Sequence, residues 1–154
     1  MSTEVVITDL SKGKSSERDR AVAAIRAGLS QYNLSRYPNA TSDDLVLVLE
    51  RDNVVVGGLT GRLAWGWLRV DFLWIEDSLR GQDHGGQLLR RAEELALASS
   101  CHAAHTDTFS FQALDFYLGA GYEVFGQLND HPPGETHYYL KKILSEEDEG
   151  PHGR

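Results

Sequence analysis

The stretch Leu79-Arg80-Gly81-Gln82-Asp83-His84-Gly85-Gly86-Gln87-Leu88-Leu89 decides how the rest of the chain is read. An apolar run, Val70-Asp71-Phe72-Leu73-Trp74-Ile75, precedes it. Behind it Leu88, Leu89, Ala92, Leu95 and Ala96 recur at three- and four-residue spacing. That order predicts a strand, a glycine-containing turn and a helix. Glycines let backbone N–H groups come close to a ligand, and a helix N-terminus carries partial positive charge. Together they make a phosphate cradle, which the Arg80 guanidinium can extend with charge-assisted hydrogen bonds. On this stretch alone, a plain tight turn explains the glycines equally well.

Upstream, Glu4-Val5-Val6-Ile7-Thr8 predicts a first strand, and Ser16 caps a helix with Val22, Ile25, Leu29 and Tyr32 on one face. Gly13-Lys14-Ser15 has the form of a P-loop tail, but that motif needs a second glycine where Thr8 stands, so the match is discarded. Pro38 and residues 39–44 form a connection. Leu45–Glu50 reads as a strand with little alternation, which implies burial on both faces. Asp52-Asn53 turns it into Val54–Gly61, whose glycines suggest a bulge or bend. Ala64-Trp65-Gly66-Trp67 makes the next turn, and Leu68–Ile75 completes an antiparallel meander. Downstream, Ser99-Ser100-Cys101 breaks the helix. His102–Thr108 follows as a strand that the helical crossover makes parallel to Leu68–Ile75. Phe109–Leu118 reads as a helix ended by Gly119-Ala120-Gly121. Tyr122–Gly126 and Thr136–Lys142 read as strands around the loop Asp130–Glu135. Residues 1–144 are therefore expected to form one domain, and residues 145–154 an acidic, disordered tail.

Two blocks in this order resemble the GNAT superfamily of N-acetyltransferases. Arg80-x-x-Asp83-x-Gly85 is similar to the family's pyrophosphate-binding motif, Arg/Gln-x-x-Gly-x-Gly/Ala, with Asp83 in place of the first glycine. Phe116-Tyr117-Leu118-Gly119-Ala120-Gly121-Tyr122-Glu123-Val124 looks like the family's tyrosine-bearing helix running into a glycine-aromatic strand. The spacing between the blocks suits the family, and the resemblance covers roughly residues 3 to 143. It implies an α/β (α+β) GNAT fold: a mixed, mostly antiparallel sheet of about seven strands with flanking helices, and a parallel pair of strands splayed at one end. It also implies acetyl-CoA as co-substrate, its pantetheine arm in the splay, and direct attack by a primary amine in a ternary complex. The backbone from Gly81 through Gln82, Asp83, His84 and Gly85 to Gly86, together with Arg80, would hold the pyrophosphate. The edge of Leu73-Trp74-Ile75 would pair with the pantetheine amides, with the Ile75 N–H as oxyanion donor. Ser110 stands where the family often has a coenzyme-contacting asparagine. Tyr117 matches the family's tyrosine that protonates the leaving thiolate; an aromatic packed on the sheet at helical spacing with Ala113 is the other reading. Asp83 would repel the phosphates unless it points away, and aspartate also favours N-caps.

An alkyl amine is mostly ammonium at neutral pH, a barrier of roughly 4 kcal/mol to free amine, so a base is needed. Asp71 is the first choice, because two-residue alternation places it on the face of Leu73 and Ile75. Glu76 and Asp107 are the alternatives. The resemblance implies that Asp107, residues 32–42 and the loop 129–137 wall the acceptor pocket. His84, His102, His105, His131 and His137 match no zinc spacing, and with a single cysteine, Cys101, no metal site is expected.

The formal charge of −8 over 154 residues and a pI near 5.1 argue against nucleic-acid or membrane binding and fit a cationic acceptor. One cysteine fits a reducing compartment. No signal-like or membrane-length apolar run is present, so a cytoplasmic enzyme is expected, and a compact single domain with no obvious peptide-binding extension leans towards a small-molecule acceptor. An acyl-CoA-binding regulatory module without turnover, a protein N-acetyltransferase, and a homodimer stay open.

Overall fold

A computed structural model describes residues 4–145. The chain separates between Ala40 and Thr41 into two compact units. In the first, helix α1 spans Ser15–Arg36. Lys14, not Ser16, occupies its N-cap and makes no side-chain cap bond. Residues 4–8 form no strand, although their β-branched side chains favour extended backbone. The tail expected from residue 145 lies, beyond Ser145 itself, outside the described residues.

The second unit holds one mixed sheet. Its strands are β1 (Ser42–Arg51), β2 (Val54–Ala64), β3 (Trp67–Ile75), β4 (Ala103–Phe109), β5 (Glu123–Asn129) and β6 (Thr136–Ile143), in the order β1-β2-β3-β4-β6-β5. The sheet therefore has six strands where about seven were expected, because residues 4–8 contribute none. Helices α2 (His84–Ala98) and α3 (Leu114–Gly119) complete the unit. All neighbours are antiparallel except β3 and β4, which are parallel, as a helical crossover requires.

The core forms because the apolar stripe of α2 meets the inward face of the sheet. Leu88, Leu89, Ala92 and Ala96 are buried against Leu59, Leu68, Val70, Ala104 and Leu140. Burying each large aliphatic side chain contributes about 2 kcal/mol. At the end of α2, Ser100 turns left-handed (φ 64°), and the Cys101 N–H reaches the Ala96 carbonyl at 2.9 Å. This closing turn satisfies the last carbonyls and buries the small Cys101. Strand β1 corrects the two-face burial expected for residues 45–50: Leu45, Leu47 and Leu49 pack inward while Val46 and Val48 alternate away from them. The helix expected from Phe109 starts only at Leu114. Phe109 ends β4, and the Gln112 side chain holds the intervening turn by accepting from the Phe109 N–H at 3.0 Å.

Under α2, the Lys142 ammonium donates to both oxygens of Glu93, at 2.8 and 2.9 Å, beside Tyr122. The Tyr122 hydroxyl is buried without a hydrogen-bond partner. Burial, and then the Glu93 charge, push this phenol far above its ordinary range. In the unfolded chain it ionises near pH 10. Its contribution to stability is therefore complete below about pH 10 and declines as the pH rises beyond that. Tyr122→Phe removes the unpartnered hydroxyl and should stabilise the protein by about 1 kcal/mol, with a shallower alkaline decline. Thermal melts between pH 8 and 11 check both effects.

Candidate active site

Strands β3 and β4 pair over three positions, Trp67 with Ala103, Leu68 with Ala104 and Arg69 with His105, and then part. At the fork the Thr106 hydroxyl donates to the Val70 carbonyl at 3.1 Å, replacing a strand partner. Beyond it the β4-facing edge of β3 has no strand bonded to it. The gap is a cleft of about 630 Å³ whose walls include Asp71, Leu73, Trp74, Ile75, Arg80, Gly85, Asp107 and Tyr117.

The fork is shaped by a bulge. Thr60 faces Phe72 and Gly61 faces Val70, so Asp71 is an extra residue on β3. The bulge brings the Arg69 carbonyl to 2.4 Å from where a Cβ on Gly61 would stand, which only glycine permits. It also corrects the simple alternation expected for Asp71. Asp71 interrupts the alternation: Val70 before it and Leu73 and Ile75 after it all pack toward the core. Its carboxylate instead pairs with Arg69 Nε at 2.9 Å and still lines the cleft. Arg69 Nη2 donates to Asp107 Oδ1 at 3.0 Å, and Asp107 Oδ2 lies 2.7 Å from His137 Nε2. Glu76 is drawn outward to Arg51 at 3.0 Å and is not among the cleft walls.

At the other end, the Arg80 guanidinium donates to the Ile75 carbonyl at 3.2 Å and pairs with Asp77 at 2.8 Å. Helix α2 begins at His84 without a side-chain cap, so the N–H groups of His84, Gly85 and Gly86 have no intrahelical acceptor. His84 Nδ1 is buried and has no hydrogen-bond partner. Gly81 turns with φ +76°, and Gln82 reaches the Ser78 carbonyl at 3.4 Å. Of this turn, Arg80 and Gly85 line the cleft, while Gly81, Gln82, Asp83, His84 and Gly86 are not among its walls. Asp83 occupies the N-cap position but is left-handed (φ 63°) and makes no cap bond. An N-cap needs extended backbone, so the capping role expected of it is absent. Its carboxylate folds over Gly86 and meets Arg90 at 2.6 Å.

Tyr117 is buried in the cleft wall, edge-on to Phe116 and Tyr122. Burial pushes its phenol up, the Thr106 hydroxyl alongside draws it back, and the Asp107 charge adds to the rise. It is therefore a protonated donor at neutral pH. Ser110 faces elsewhere: its hydroxyl donates to the Glu135 carboxylate and accepts from the Thr136 N–H at 3.0 Å, closing the loop onto β6. Phe72, Thr108, Phe111, Gln112, Ala113 and Phe116 also line the cleft. None of them carries a role in the sequence reading: alternation alone puts Phe72 on the face opposite Leu73 and Ile75, and reading Phe109–Leu118 as one helix hides the turn before Leu114.

The cleft is thus charged oppositely at its two ends, with a guanidinium and a helix N-terminus at one and two carboxylates sharing a single arginine at the other. The profile of the acetyltransferase (GNAT) family matches residues 16–122. The chain belongs to the GNAT acetyltransferase family. Acetyltransferase Atu2258 of Agrobacterium fabrum is 37% identical over 123 residues, 79% of this chain and 90% of that protein. Blasticidin-S acetyltransferase of Streptomyces morookaense is 40% identical over 91 residues, 58% of this chain and 67% of that protein. A Bacillus cereus acetyltransferase structure superposes with a TM-score of 0.75 at 31% identity, covering 90% of this chain and 97% of that one. In this GNAT acetyltransferase no helix among the described residues is long and apolar enough to cross a membrane. No group of three or more metal-ligating side chains occurs among them either.

The geometry of Asp83 makes a sharp test of the turn. Asp83→Gly removes a left-handed aspartate and its charge. Because no cap bond is lost, stability should hold within about 0.5 kcal/mol, and acetyl-CoA should bind equally well or more tightly. Arg90→Ala should weaken that binding by unmasking the carboxylate, and the loss should vanish in the Asp83→Gly background. Calorimetry on the three variants checks it.

Proposed function

We propose that this acetyltransferase moves an acetyl group from acetyl-CoA to a primary amine of a small molecule, by direct attack in a ternary complex. The observation that carries this is the fork itself: an unpartnered strand edge whose cleft has a buried phenol on one wall and carboxylates on the other. The free edge of β3 is suited to pair with the pantetheine amides as an added strand would. The uncapped N–H groups of α2, with Arg80, suit the pyrophosphate. The buried, unpartnered His84 Nδ1 marks a polar position there that fits a ligand group. In this reading Leu73, Trp74, Ile75, Arg80 and residues 81–86 form the coenzyme site, and Ser110 supports its loop. The Ile75 N–H serves the tetrahedral oxyanion, a donor of a kind worth roughly 3–4 kcal/mol.

Asp71 accepts the proton of the incoming ammonium: one of its oxygens is held by Arg69, leaving the other for the amine. Tyr117 gives its proton to the departing thiolate. A relative named for blasticidin S favours a small-molecule acceptor. Residues 1–144 then act as one functional domain.

Thiol release from acetyl-CoA tests the reaction against a panel of blasticidin S, aminoglycosides, simple amines, amino acids and basic peptides. Turnover with a small amine is expected. Turnover with peptides alone would make it a protein N-acetyltransferase, and coenzyme binding with no acceptor-dependent release would make it a regulatory module.

A further inference from the structure

Behind Asp107 lies a group that the transfer chemistry leaves unused. His137, on β6, is buried, its ring stacked 4.3 Å from Phe109 and 4.6 Å from Tyr139. Both nitrogens are claimed: Nε2 by Asp107 at 2.7 Å and Nδ1 by His131 Nδ1 at 3.3 Å. The contact with a carboxylate assigns the proton to Nε2, and His131 then donates to the bare Nδ1. In this state Arg69 bridges Asp71 and Asp107, and His137 joins Asp107 to His131. Two carboxylates and one guanidinium leave a single negative charge facing the cleft. A proton added to His137 is absorbed by a tautomer change in His131, whose ring sits in an exposed loop, and it cancels that charge.

We propose that His137 is a positioning residue of the acceptor subsite: it fixes Asp107 toward the cleft and, while neutral, keeps there the net negative charge that selects an organic cation. The proposal rests on the acetyl-transfer reading of the cleft. The occupant it fits is a cation with a flat apolar body, because Phe72, Trp74 and Phe111 line the cleft beside the carboxylates and aromatic faces attract cations. The charged or titratable groups on the elements around His137 include Asp107 and His105 on β4, Arg69 and Asp71 on β3, His131 and Glu135 in the loop, and Tyr139 and Lys141 on β6, Lys141 opposite His105. Glu135 is bonded to Ser110. Burial and then Arg69 hold His105 below its ordinary range, which favours its neutral form.

The test uses benzyltrimethylammonium, a cation that neither titrates nor accepts an acetyl group, with the intact protein. Calorimetry compares its binding at pH 8 and at pH 5.5. Binding at pH 8 and at least about tenfold weaker binding at pH 5.5 are expected. His137→Gln keeps an N–H for Asp107 but cannot gain charge, so its affinity at pH 8 should match wild type and vary less than about twofold with pH. Independently of any variant, the imidazole of His137 followed by NMR should titrate at a lower pH when the cation is saturating, since a ligand that prefers the neutral form must lower that midpoint. A wild-type affinity that ignores pH, an undiminished pH effect in His137→Gln, or an unmoved His137 midpoint would each overturn the proposal. Acetyl-CoA binding measured alongside separates the readings: its absence defeats the transfer reading, while its presence with no cation binding defeats only this inference.

Discussion

Tyr117→Phe should lower turnover by about 10²-fold or more while leaving acetyl-CoA affinity and melting temperature close to wild type. The ring, which packs edge-on between Phe116 and Tyr122, is retained, so packing is preserved. In the proposed role, what is lost is a positioned general acid, an interaction that develops only as the thiolate departs and so appears in kcat rather than in binding. Because burial raises the Tyr117 phenol, wild-type activity should show no alkaline loss from this group up to about pH 10, the ordinary tyrosine value. The defect should shrink with an acyl donor whose thiol is more acidic. Single-turnover acetyl transfer is the measurement that isolates the step; near wild-type rates there would leave Tyr117 as a packing residue only.

Asp71→Asn should reduce acetyl transfer at neutral pH by about 10²-fold or more, in the range for a lost general base. The sign of its pH dependence is diagnostic. Without the carboxylate, only amine already deprotonated in solution reacts. The variant's rate should therefore climb about tenfold per pH unit toward the amine's own pKa near 10, closing on wild type. If Asp71 served only to pair with Arg69, an amide would keep part of that contact, and the half-exposed ion pair contributes at most about 1 kcal/mol. A small loss that does not depend on pH would show that role instead. Rate–pH profiles of both proteins with one amine decide between the two.

The strand–turn–helix at residues 70–96 was legible because it is local. The 3.6-residue period of Leu88, Leu89, Ala92 and Ala96 and the glycine turn reflect packing and backbone preferences within a short stretch. Pairing is not local. Nothing in Glu4-Val5-Val6-Ile7-Thr8 says whether another strand will bond to it, and no strand does, so the sheet has six members. The bulge at Asp71 was hidden for a similar reason. It exists only in the register against Thr60 and Gly61, while a strand read alone shows unbroken alternation. Asp83 was legible as a departure from the family pattern, but not its left-handed backbone, which turns the carboxylate away from a capping geometry and onto Arg90. The cluster of Arg69, Asp107 and His137 draws on β3, β4 and β6 and becomes visible only once those strands are ordered. Its sequence trace is slight: Arg69-x-Asp71 and His105-x-Asp107 are polar pairs at strand spacing, each placed on one face.

In the proposed reading the fork between β3 and β4 binds acetyl-CoA with its phosphates at the start of α2. The most direct measurement is calorimetric titration of acetyl-CoA into the wild-type protein and into Gly85→Val. Gly85 lies in the first turn of α2 and lines the cleft; even a Cβ there would touch the Phe116 ring at 3.4 Å. A branched side chain would press on that ring and cover the backbone N–H groups. Saturable binding to wild type is expected, and binding at least about tenfold weaker, a difference of about 1.4 kcal/mol, to a folded Gly85→Val protein. Absence of wild-type binding at about 1 mM acetyl-CoA, or equal affinity in the two proteins, would contradict it.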